Sequence, residues 1–173
     1  MSQLEEVTKL LVESLIEKYQ LTIEEQASLD LKETSRRVAH AFEEMLSGYE
    51  LNNGNGAYTT FPVRETEDHN AVCAKGISFS SVCSHHLLPF IGEMEIYYVP
   101  SSRVIGLSKL SRIVRKYSQR LQLQENLTNQ VADAIVEILE PKALSVTSKC
   151  VHSCVACRGV SDPNMVIEVA VSR

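Results

Sequence analysis

A chain of 173 residues, 44% hydrophobic and 23% charged, has the size and make-up of one globular domain with a real core and an appended helical segment. With a net charge of −5 and no run near the ~18 apolar residues of a membrane span, neither a membrane protein nor a whole-surface nucleic-acid binder is indicated. Five cysteines, an odd number, behind an acidic amphipathic N-terminus that does not read as a signal peptide, point to reduced cytoplasmic thiols rather than a disulfide frame.

Residues 1–50 read as helix. Leu4, Val7, Leu10, Leu11, Leu15 and Ile16 recur at helical spacing, and a second helical segment opens at Thr22-x-x-Glu25, a capping-box pattern. Its later part is apolar at Val38, Ala41, Phe42, Met45 and Leu46, with Gly48 as the expected stop. Residues 51–70, rich in Asn and Gly, read as a loop. From 71 to 173 the character changes. "AVCAKGISFSSV" and "FIGEMEIYYV" have strand composition and are joined by the short "CSHHLLP", which suggests an antiparallel pair. "GLSKLSRIVRKYSQRL" then repeats apolar residues at Leu107, Leu110, Val114, Tyr117 and Leu121, a helical rhythm, and "NLTNQVADAIVEILE" is a helix ending before Pro141. "ALSVTSKCVH" and "MVIEVAV" read as two more strands. The order β-β-α-α-β-β predicts an α+β domain with two helices on one face of an antiparallel sheet. The other face then needs a partner, which argues for oligomerisation.

Two stretches concentrate soft and borderline metal ligands. "VCSHHLLPF" carries Cys83, His85 and His86; "KCVHSCVACRGV" carries Cys150, His152, Cys154, Cys157 and Arg158. Buried free cysteines also pack as small hydrophobes. Two clusters that each mix Cys with His make a metal site the stronger reading, with Cys83, His86 and Cys154 as ligands. Cys157 stays open: as a fourth ligand it closes a structural site, and otherwise the fourth position is free for catalysis. His85 and His152 each neighbour a ligand, where a histidine can move protons near neutral pH.

Basic residues gather in Arg103, Lys109, Arg112, Arg115, Lys116 and Arg120, with no acid between Ile96 and Gln124. Lys109 and Arg112 share a helix face, Lys109 lies in a first helical turn, and Arg158 follows the second Cys/His stretch; together they suit a local anion rather than a nucleic acid. Gln124-Glu125 opens a helix. A carboxylate there can accept two parallel hydrogen bonds from a guanine, although an acid at a helix start is favoured by the dipole alone.

These pieces resemble the GTP cyclohydrolase I family, through "ETSRR" (33–37), "CSHH" (83–86), "VIGLSKLSRIV" (104–114), "QRLQLQENLTNQ" (119–130) and "HSCVACRG" (152–159), in order over about residues 30–160. The resemblance implies the tunnelling fold (T-fold), with sheets of neighbouring subunits joined into a barrel in a toroidal decamer of two pentamers. It implies zinc on Cys83, His86 and Cys154, acid–base roles for His85 and His152, and a ribose contact for Ser108. It further implies guanine recognition by Gln124 and Glu125, and triphosphate contacts from Lys109, Arg112, Arg158 and Arg37. The implied reaction opens GTP at C8, releases formate and closes a pterin, 7,8-dihydroneopterin triphosphate, the entry to folate-type, biopterin-like or deazaguanine compounds. Here Ser84 stands where the family usually has Glu, Ser35 where it has Pro, His40 where a lysine is common, and Cys157 where a small residue is usual. "SDPNMVIEVAVSR" replaces a threonine-rich stretch and final helix, so one last strand is expected. A non-catalytic relative with a closed zinc site, or a related purine or pterin as substrate, stay open as alternatives.

Overall fold

A computed structural model of the chain describes residues 2–50, 58–63 and 70–173. It divides into two compact units, Met1–Met45 and Leu46–Arg173.

The first unit holds three helices, α1 (Gln3–Tyr19), α2 (Ile23–Leu29) and α3 (Leu31–Met45). Ser2 with Glu5, and Thr22 with Glu25, form complete capping boxes, so the orphan amides at both starts are satisfied by side chains. The single second helix expected from periodicity is split at Asp30, which takes φ +41 between α2 and α3. In the α1–α3 packing Thr8 Oγ1 donates to the Ser35 carbonyl at 2.9 Å, and Val12 and Ala39 are buried. Val7, Leu10, Leu11 and Leu15 of α1 stay exposed in the single chain. No described helix is long and apolar enough to cross a membrane.

In the second unit a five-stranded sheet runs in the order β5-β2-β3-β6-β7. Its strands are β2 (Val72–Cys83), β3 (Pro89–Val99), β5 (Leu121–Gln122), β6 (Ala143–His152) and β7 (Ile167–Ser172). The helices α4 (Leu107–Ser118) and α5 (Gln124–Leu139) follow in the expected β-β-α-α-β-β order. A small antiparallel pair stands apart, β1 (Thr60–Pro62) on β4 (Arg103–Ile105). Part of the expected loop 51–70 is therefore strand; residues 51–57 and 64–69 of it lie outside the described residues. Gly48 does not end α3, which stops at Met45. It packs instead against the end of α4, where a Cβ would meet the Gln119 and Lys116 carbonyl oxygens at 2.5 and 2.6 Å.

The two sheet faces differ because side chains alternate along each strand. Inward, Phe90, Met94, Ile96 and Tyr98 of β3 join Leu110, Ile113 and Val114 of α4 and Leu127, Val131 and Ile135 of α5 in one core. Each fully buried side chain of this kind is worth ~1.5–3 kcal/mol. Outward, the same strand offers Glu93 and Glu95. Lys75 pairs with Glu95 at 2.7 Å, and Lys149 with Glu168 at 3.1 Å. The outer face is thus mixed: these charged pairs share it with Ile91, Tyr97 and Val151, which are exposed in the single chain.

Four strand ends converge on one end of the sheet. Antiparallel β2 and β3 place Val82 opposite Pro89, β3 and β6 place Phe90 opposite His152, and the short parallel β5 places Gln122 opposite Cys83. Ser84 N donates to the Gln122 carbonyl at 3.0 Å, so the start of α5, two residues on, is tied to the Cys83 turn. A four-residue helix, α6 (Ser153–Ala156), leaves β6 at the same place.

Candidate metal centre and its flanking groups

The link between β2 and β3 folds back on Cys83. The amides of His86 and Leu87 donate to the Cys83 carbonyl at 3.3 and 2.8 Å, and Cys83 N donates to Leu88 O at 2.9 Å. Closing this turn puts Leu87 in the left-handed region at φ +55, an unusual conformation for a branched residue. The result sets His86 Nδ1 3.6 Å from Cys83 Sγ. Cys154 reaches the same spot from α6, and the ligand atoms of Cys83, His86 and Cys154 all lie within 4.8 Å of one another.

The donor set fits zinc. With Zn–S of ~2.3 Å and Zn–N of ~2.05 Å at a tetrahedral angle, sulfur and nitrogen should stand about 3.6 Å apart, the separation found between Cys83 and His86. Cys83 is buried, Cys154 half-buried and His86 exposed, so the cluster is open on one side. Burial, and then the neighbouring Cys83 thiol, push the Cys154 thiol above its ordinary range, while the Arg158 guanidinium pulls it down. A cation at the centre reverses that balance, because it favours thiolate outright.

The other two cysteines of the second stretch stand apart. Cys157 is exposed and does not join the cluster. Its amide donates to Ser153 O at the end of α6. The closed four-ligand site that Cys157 would create is therefore not formed, because the turn of α6 directs residues 154 and 157 to different surroundings. Cys150 is buried against Gly92, and burial pushes its thiol up to about 12, so it packs as an inert apolar group.

The two flanking histidines are held unequally. His85 is exposed, edge-on to His86 with ring centroids 6.2 Å apart. His152 lies flat on Phe90, with centroids 4.6 Å apart and planes within 9°, and its Nε2 is 2.9 Å from Gln124 Oε1. Burial lowers the His152 pKa, and the charge of Glu125 opposes that shift. Glu125 itself is exposed at the start of α5.

Gln124 departs from expectation. It is 2% exposed, and its Nε2 donates to Ser148 O, Ser148 Oγ and Ile167 O at 3.0–3.1 Å. Its side chain is spent inside the protein rather than offered to a base. Ser108 and Lys109 stand in the first turn of α4 behind the uncapped Gly106, and Arg112 follows one turn later. Among the described residues none of the three is hydrogen-bonded or ion-paired to the cluster. Arg158 is exposed close enough to Cys154 to act on its thiol, and Arg37 is exposed on α3 in the helical unit. Phe90, Gln122 and Ser148 were not singled out as site residues from sequence. Phe90 even closes one of the quoted stretches, but only its register opposite His152 reveals its part.

Fold and cluster together define an α+β protein with a three-ligand, open-sided candidate metal centre at the strand ends. Comparison with known proteins narrows this to a family. The model of the GTP cyclohydrolase I family matches residues 11–173, and the chain belongs to that family. It is 46% identical over 141 residues to the GTP cyclohydrolase 1 of Hyperthermus butylicus, covering 82% of this chain and 69% of that one. It is 43% identical over 138 residues to the GTP cyclohydrolase 1 of Deinococcus radiodurans, covering 78% of this chain and 61% of that one.

Proposed function

We propose that this chain hydrolyses GTP at C8, releases that carbon as formate and rearranges the remainder to 7,8-dihydroneopterin triphosphate. The observation that carries the reading is the Cys83–His86–Cys154 cluster with His152 and Glu125 beside it, in a member of this family. Zinc bound there supplies Lewis acidity and a water ionised near neutral pH.

The chain's own groups supply the rest. Glu125, exposed at the start of α5, accepts two N–H bonds from the guanine edge. Adenine lacks that donor pair, so the carboxylate would be left unpaired against it. Lys109, Arg112 and Arg158 are assigned to the triphosphate and Ser108, in the open first turn of α4, to the ribose, with Arg37 the further triphosphate contact that the family resemblance implies. Two waters enter and one leaves across ring opening, formate release and pterin closure, and each stage moves protons. We assign that transfer to His85 and His152, the two histidines that flank the cluster.

The mainly antiparallel sheet with both helices on one face supports the subunit of a tunnelling fold whose barrel closes between copies. A decamer of two pentamers is the assembly proposed. The exposed apolar residues of α1, among them Val7, Leu10 and Leu11, support burial against further copies. The free cysteines support a reducing, cytoplasmic setting.

The test is incubation of the zinc-loaded full chain with GTP, reading formate and, after oxidation, pterin fluorescence. Both should appear with GTP and neither with ATP. Neither product from folded, zinc-bound protein overturns the reading, and turnover of another purine in place of GTP moves the substrate.

A further inference from the structure

Gln124 opens α5 yet is buried, and every polar atom of its amide has a partner. The Ser148 and Ile167 carbonyls can only accept, so the nitrogen of the Gln124 amide must face them. Its oxygen therefore faces His152 at 2.9 Å. An amide oxygen only accepts, so the hydrogen in that bond sits on His152 Nε2. The surrounding hydroxyls leave no slack. Thr128 Oγ1 spends its hydrogen on the backbone carbonyl of Gln124 at 2.7 Å, so Ser148 Oγ donates to Thr128 across 2.8 Å and accepts from the Gln124 side chain. Phe90 stacked at 4.6 Å keeps the ring from turning, and among the described residues His152 Nδ1 has no hydrogen-bond partner.

We infer that Gln124 is a positioning residue: it keeps the proton of His152 on Nε2, so that in the neutral ring Nδ1 is the nitrogen whose lone pair serves the reaction. The last clause rests on the proton-transfer role proposed above for His152; the tautomer itself does not. A side chain committed in this way does not read the guanine, which leaves that task to Glu125.

The experiment uses the full zinc-loaded chain with ¹³C,¹⁵N-labelled histidine and solid-state NMR at neutral pH, with the His152 signals assigned by their loss in His152→Asn. The expected spectrum shows His152 protonated at Nε2 and bare at Nδ1. In Gln124→Met, which keeps the bulk and removes the acceptor, a mixture of tautomers should appear. That variant should also lose roughly 10- to 100-fold in kcat, the scale for partners that orient a functional histidine, with KM for GTP little changed. A neutral His152 ring protonated at Nδ1 and bare at Nε2, or an Nε2–H signal that does not respond to Gln124→Met, overturns the inference, and the first of these does so even if Gln124→Met fails to fold. So does a Gln124→Met protein that keeps its tautomer and kcat and loses only affinity for GTP. The spectrum needs no turnover, so an inactive wild type would sink the proposed reaction without deciding this assignment.

Discussion

The turn after β2 and the segment after β6 feed the same cluster but are held in opposite ways. In the first, Cys83 and His86 are three residues apart, and the hydrogen bonds that close the turn run among residues 83–88. In the second, His152 is fixed by Gln124, 28 residues away in sequence, and by Phe90 on the neighbouring strand. The first presents exposed groups, His85 and His86; the second presents half-buried ones, His152 and Cys154. A local turn suffices to pair two ligands at tetrahedral separation. Orienting a ring whose two nitrogens must do different things takes a packed environment.

The largest effect should come from breaking the ligand set where the two segments meet. Cys154→Ser replaces a thiolate donor by a hydroxyl that stays protonated, so zinc should fall from one per chain to a small fraction and turnover by at least ~10³-fold. Cys157→Ser, three residues on and outside the cluster, should keep its zinc. Elemental analysis with the formate assay checks both. Loss of zinc in Cys157→Ser would mean that the second segment rearranges around the ion. Zinc retention should also weaken as pH falls, because protons compete for the thiols and for His86.

The histidines should separate next. His85→Asn and His152→Asn should each lower kcat by ~10²–10⁴-fold, the usual contribution of a proton-transfer group. Only the second should cost stability, about 1–2 kcal/mol, for the lost stack on Phe90 and the stranded Gln124 oxygen. Urea unfolding distinguishes them. pH adds a second reading. The folded His152 ring takes its proton later than the unfolded chain, whose value is near 6.5. Below that value the unfolded state binds more protons, so stability present above pH 6.5 is lost as pH falls toward the lower folded value. His152→Asn should flatten that part of the stability curve.

The same contrast explains what could be read before the fold was known. The Cys83-x-x-His86 pair and the Thr22-x-x-Glu25 helix start are short-range patterns that appear where spacing puts them, and the rhythm of α4 holds at Leu110 and Val114, although Leu107 is exposed and Leu121 lies past the helix end, in β5. The break between α2 and α3 was hidden because Asp30 continues a helical pattern while its backbone turns left-handed. Two-residue β5 has no periodicity to detect; it exists because Leu121 and Gln122 find the end of β2. Gln124 reads in sequence as a helix start with a part in guanine recognition, and only Ser148, Ile167 and His152, all brought in by β6 and β7, turn its side chain inward. Residues whose partners lie close in sequence were legible, and those whose partners arrive through the sheet were not.

The smallest effect tests the local turn itself. Leu87 sits at φ +55 with its side chain 51% exposed. A left-handed conformation costs a non-glycine residue ~1–2 kcal/mol, and a half-exposed side chain returns little packing. Glycine removes that strain but loosens the unfolded chain by ~0.5–1 kcal/mol, so Leu87→Gly should raise stability by about 0.5 kcal/mol. For a chain of this size that is a gain of only ~1–2 °C in Tm, with zinc content unchanged. A fall in Tm of several degrees would show that Leu87 is covered in the working protein, by a neighbouring copy or by the nucleotide. The strain in the turn would then be offset by contacts outside the single chain, and the β2–β3 turn would no longer count as the locally determined half of the site.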